Sequence, residues 1–126
     1  MKKTKRRYIL EQDTMFDPDP KDPQQVERYK KMAAKKRSAG ISEDETWDLV
    51  TSLARFMEPR LKQFNRQNIG TPASYDGDLD GWRKSIDKMI YMFKHLADDD
   101  WPNYGEDAKF DEGAELFSKY WMDLWW

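Results

Sequence analysis

The chain contains no cysteine. That excludes a disulfide scaffold, thiolate ligation of zinc and a thiol nucleophile, and it suits a reducing compartment. There is a single histidine, His95. No HExxH helix, glycine-rich phosphate loop or Ser-His-Asp arrangement with a supporting motif is present, so nothing in the sequence argues for an enzyme or a resident cofactor. No stretch approaches the roughly 18 apolar residues of a membrane span. The basic run Met1–Arg7 is not followed by the apolar segment of a secretory signal, so none is expected. Aliphatic residues are sparse.

Aromatic residues are not: 6 Trp, 6 Tyr and 6 Phe in 126 residues can build a small core from few, large side chains. Charged residues make up 37% of the chain, which implies a heavily solvated surface. The charge is unevenly placed. Residues 1–38 hold 12 Lys/Arg against 6 Asp/Glu, and residues 39–126 hold 10 against 18. This is a basic arm on an acidic body, a pattern that points to partners.

The spacing predicts an all-α domain of three to four helices. Residues 1–22 read as a basic, proline-rich arm and extended linker, and 23–126 as the helical domain. Asp22, Pro23 and Gln25 supply a cap, a first helical residue and a third-position acceptor. The first helix follows from Pro23 to about Ser38 with Val26, Tyr29, Met32 and Ala33 on one face, and Gly40 ends it. Ser42 and Glu45 form a capping box. Behind it Trp47, Val50, Ala54, Met57, Leu61 and Phe64 recur at helical steps, widened by Leu49, Leu53 and Phe56. So broad a stripe predicts a second helix lying between two others, kinked or broken at Pro59. A third helix carries Leu79, Trp82, Ile86, Met89, Ile90, Phe93 and Leu96. The last runs from about Asp107 or Glu112 to Trp126, with Leu116, Phe117, Tyr120, Trp121, Leu124 and Trp125 facing the core and Met122 and Trp126 pointing elsewhere.

The stretch YDGDLDGWRKSID tests two readings. Asp76, Asp78, Asp80, Gly81 and Asp87 fall on positions 1, 3, 5, 6 and 12 of a calcium loop. Against this, the twelfth position is Asp and not Glu, Arg83 stands where an apolar residue belongs, and a Gly/Pro loop replaces the entering helix. The favoured reading is a helix start capped by Asp78 or Asp80. His95 with Asp98 and Asp99 is a weak metal set.

Binding is the remaining theme. Lys30, Lys31, Lys35, Lys36 and Arg37, with Arg28 and the arm's Lys2, Lys3, Lys5, Arg6 and Arg7, could neutralise nucleic-acid phosphates, or meet an acidic partner or the chain's own acidic body. Aromatic interleaving is slight, which weakens base stacking. Trp126 is a candidate hot spot for a protein partner.

Taken together, GISEDETWDLVTSLARFMEPRLKQF, a Gly/Pro loop, W-x3-IDKMIYMF and EGAELFSKYWMDLW resemble a group of small tailed-phage and prophage proteins. The resemblance covers about residues 39–126. It is carried by Trp47, Pro59, Arg60, Leu61, Trp82, Asp87, Lys88, Met89, Ile90, Phe93, Gly113, Leu116, Phe117 and Leu124. Gly70-Thr-Pro72 and the acids before Trp82 depart from the group's pattern. These are packing residues, so the resemblance implies a fold and not a reaction. It implies a phage-encoded accessory protein acting by binding a host or viral macromolecule, in the host cytoplasm or the virion; inhibition of a host enzyme or defence complex is its sharper form. Alternatives are a nucleic-acid-binding protein, a virion or packaging component, and a nucleotide sponge with a Trp-lined pocket. Asp87-Lys88, next to the core positions Ile86 and Met89, is expected to pair with Arg60 or Lys62.

Overall fold

A computed structural model describes residues 18–103 and 105–126. The basic run of the arm therefore lies outside the described residues. The architecture is all-α. Helices α1 (Pro23–Ala39), α2 (Asp44–Trp47), α3 (Leu49–Gln67), α4 (Leu79–Ala97) and α5 (Ala108–Tyr120) are joined by loops and two 3₁₀ turns, Ala73–Tyr75 and Trp121–Asp123. No strand occurs among the described residues. The chain divides into two compact units between Phe56 and Met57.

In the N-terminal unit, residues 19–22 form a turn just before α1, and the expected extended linker before residue 18 lies outside the described residues. The Asp22 amide donates to the Asp19 carbonyl at 3.0 Å, and the Asp19 carboxylate accepts from the Lys21 amide at 2.9 Å. Asp22 then caps α1 as predicted, accepting from the Gln24 and Gln25 amides. Gly40, at φ 81°, closes the helix by donating to the Lys36 carbonyl at 2.9 Å. Only glycine reaches that left-handed conformation without steric cost.

The predicted second helix is two helices, separated at Asp48. Asp48 leaves the helical region at φ −135°, ψ 73°. Its carboxylate accepts from the Thr51 amide at 3.2 Å and from the Thr51 hydroxyl at 2.7 Å. This side-chain cap restarts the chain as α3. α3 then runs through Pro59 without a break. A proline forfeits only one backbone hydrogen bond, here to the Arg55 carbonyl. The capping box forms by half. The Glu45 carboxylate accepts from the Ser42 amide at 2.7 Å, whereas the buried Ser42 hydroxyl has no partner among the described residues.

The new phase after Asp48 overturns the sandwiched-helix expectation. Thr51, Ser52 and Ala54 are buried, and Trp47, Leu49, Val50 and Leu53 are exposed. Arg28 stacks 4.6 Å from the Trp47 ring centre.

In the C-terminal unit, α4 supplies the core as its stripe predicted. Trp82, Ile86, Met89, Met92, Phe93 and Ala97 are all buried, together with Leu61 of α3 and Tyr120 of α5. Gly113 lets α5 approach α4 closely. A β-carbon there would run into the Lys88 carbonyl oxygen and come within 3.0 Å of the Met92 β-carbon. Phe93 and Phe117 meet edge to face at 4.9 Å, and Lys88 pairs with Glu112 on α5. Of the two cations expected near Asp87–Lys88, Arg60 or Lys62, Lys62 is engaged elsewhere. Asp87 accepts from the Asn65 amide group at 2.9 Å, and Lys62 pairs with Glu58 at 2.6 Å.

Asp107 starts α5, accepting from the Lys109 and Phe110 amides at 3.0 and 3.1 Å. It also receives the Tyr91 hydroxyl from α4 at 2.8 Å. That hydroxyl and the two amides hold the Asp107 carboxyl below its ordinary value of 3.8. A carboxylate with a depressed folded-state pKa contributes stability above its unfolded pKa and loses it as pH falls through the folded value. The stability of this unit should therefore decline below about pH 4. Asp107→Asn, which still caps but does not titrate, should flatten that decline. Urea titrations across the acid range check both.

Candidate functional site

Of the two readings of the acidic stretch, α4 shows the helix start. Asp78 is the cap, accepting from the Gly81 amide at 3.0 Å, and the helix begins at Leu79. Asp76 sits in the turn before it at φ 48°, Asp80 lies in the first helical turn, and Asp87 is two turns on, bonded to Asn65. The four carboxylates are not brought together. No group of three or more metal-ligating side chains forms among the described residues. His95 instead faces Asp100 at 3.2 Å and lies against Tyr91.

The basic candidates on α1 separate. Lys30, Lys31, Lys35 and Arg37 are exposed. Lys36 is buried and paired with the buried Glu45, so it is removed from any phosphate-contacting surface. The reason is its register: Met32 and Ala33, the other buried residues of α1, stand four and three positions before it.

A different surface gathers at the end of the C-terminal unit. α5 stops at Tyr120 and tightens into a 3₁₀ turn. The change of period takes Trp121 and Trp125 off the core face assigned to them. Trp121, Met122, Trp125 and Trp126 are exposed by 58%, 74%, 75% and 66%. Only Trp126 and Met122 were expected there. Ile69, on the loop after α3, is 80% exposed.

That loop is rigidly held. The fully buried Asn68 donates to the Gly70 carbonyl at 2.6 Å and accepts from the Gly70 amide at 3.3 Å. Arg83 of α4 donates to the Asn68 carbonyl at 3.0 Å. Downstream, the Ser74 and Tyr120 hydroxyls are hydrogen-bonded at 3.0 Å. Between this loop and the C-terminal tail lies a cavity of about 260 Å³, lined by Ile69 to Pro72, Trp82, Asp123, Trp125 and Trp126. Trp82 belongs to an edge-to-face triad, 5.1 Å from Tyr75 and 5.5 Å from Tyr120, with the two tyrosines 5.4 Å apart. The site therefore joins a fixed aromatic base to solvent-exposed indoles and one carboxylate.

No helix among the described residues is long and apolar enough to cross a membrane. Comparison of the chain with protein-family models, curated proteins and solved structures returned no match.

Proposed function

We propose that the protein is a non-enzymatic interaction module that binds a protein partner through the aromatic surface of Ile69, Trp121, Met122, Trp125 and Trp126. The exposure of three tryptophans beside a structured cavity supports this reading. Burying apolar rings against a partner releases the water that now covers them, and tryptophan dominates binding energy at interfaces. The basic surface of α1 offers charge alone, and without Lys36 that surface is thinner than its sequence implied. The resemblance to small phage proteins supports a partner of host or viral origin, with inhibition of a host complex as the consequence of binding.

The test is native mass spectrometry of the tagged protein recovered from a bacterial host lysate, run beside a Trp125→Ala/Trp126→Ala variant. The expected result is a stoichiometric complex with one protein that the variant loses, its affinity falling by about 30-fold or more, as for a hot-spot pair. A complex that survives the double substitution, or capture of nucleic acid alone, overturns the assignment.

A further inference from the structure

We propose that the cavity between the Ile69–Pro72 loop and the C-terminal tail is a cage for a quaternary ammonium group. The inference rests on this surface being a binding site and names the chemical group its cavity takes. Three of the chain's 6 tryptophans, Trp82, Trp125 and Trp126, line the cavity. Indole presents the strongest aromatic face to a cation. Among the described residues Asp123 adds the only charged side chain in the lining, and it is negative. An anionic ligand would meet that carboxylate with no Lys or Arg among the described lining residues to offset it.

Size and hydrogen bonding narrow the choice further. At about 260 Å³ the cavity falls below the roughly 300–1,000 Å³ of sites for drug-sized ligands, so it suits a compact headgroup. A primary ammonium carries three N–H donors, each needing an acceptor on leaving water. Among the described residues the lining side chains offer only the Asp123 carboxylate and the Thr71 hydroxyl as acceptors, and the rest are apolar, aromatic or glycine. A quaternary ammonium has no N–H to satisfy, and its methyl groups pack on indole faces. Elsewhere in the chain an indole already takes a cation, with Arg28 over Trp47. The cage is partly preformed: Trp82 is locked by Tyr75 and Tyr120, and the opposing loop is pinned through Asn68.

The test uses tetramethylammonium against 2,2-dimethylpropanol, a neutral molecule of similar shape, at constant ionic strength, read by tryptophan fluorescence and indole N–H chemical shifts. Saturable binding of the cation is expected, about tenfold or more tighter than the alcohol, as desolvated cation–π contacts provide. Asp123→Asn should weaken the cation and leave the alcohol unchanged. Trp125→Ala and Trp126→Ala should abolish binding, with unchanged helicity showing that the fold persists. Equal binding of the two molecules, or no saturation by either, overturns the cage. Choline and a trimethyl-lysine peptide then distinguish a free solute from a side chain, by whichever binds tighter. No partner protein enters this assay, so its failure leaves the docking surface standing, and loss of the partner complex leaves the cage standing.

Discussion

Replacing Trp82 with alanine is expected to destabilise the C-terminal unit by about 3–5 kcal/mol, the range for deleting a large buried aromatic. Trp82 is 1% exposed. Its ring fills the space enclosed by Tyr75 and Tyr120, and both edge-to-face contacts vanish with it. Each such contact is worth about 0.5–1.5 kcal/mol beyond burial. The neighbours cannot easily collapse into the gap. The Tyr75 hydroxyl is tied to Ser85 at 2.6 Å and the Tyr120 hydroxyl to Ser74 at 3.0 Å. Against a total stability of about 5–15 kcal/mol, the loss removes much of what holds the unit. Urea unfolding should show a lower midpoint at an unchanged slope. Trp125→Ala provides the contrast, since an exposed ring away from the core changes stability by about 0.5 kcal/mol or less. A comparable loss at Trp125 would mean that the tail is structural, and would count against its role as a binding surface.

That contrast bears on what the sequence could convey. α4 was legible because two independent signals coincide. An acidic cap at Asp78 stands immediately before a stripe of Trp82, Ile86, Met89 and Phe93, and the stripe is the buried face. The start and end of α1 were legible for the same reason, from Asp22-Pro23 and Gly40. The boundary between α2 and α3 was missed because proline was weighted above aspartate. Asp48-Leu-Val-Thr51 is itself a cap signature, and it resets the helical phase so that Leu49, Val50 and Leu53 turn outward. The tail was misread by extending one helical period to the last residue, although final turns commonly tighten to 3₁₀ geometry. A Trp-lined pocket was among the alternatives, but the place of this cavity had no sequence signal. It forms where a loop near residue 70 meets a tail near residue 125, and no periodicity relates those positions. The residues missed there, Ile69, Asp123 and Trp125, become visible only when both segments are placed.

Lys36 is the case where a signal existed and points to a second large effect. Lys36→Met is expected to cost about 3–5 kcal/mol, because it leaves the Glu45 carboxylate buried without its counter-charge. Glu45 is 7% exposed, and its other oxygen holds the Ser42 amide at 2.7 Å. Its backbone carbonyl accepts from the Ser52 hydroxyl at 2.8 Å. The residue cannot swing into water without releasing the start of α2. The methylene stem of lysine is largely reproduced by methionine, so lost packing is a small part of the penalty. Adding Glu45→Gln separates charge from contact. Glutamine keeps the acceptor for the Ser42 amide and removes the stranded charge, so the double variant should recover most of the loss. A double-mutant cycle by urea unfolding measures that recovery. Glu45→Gln failing to rescue Lys36→Met would assign the penalty to packing of the lysine stem. Full rescue would establish that this lysine, placed by its register beside Met32 and Ala33, serves the N-terminal unit as the counter-ion of Glu45 and is closed to any external phosphate.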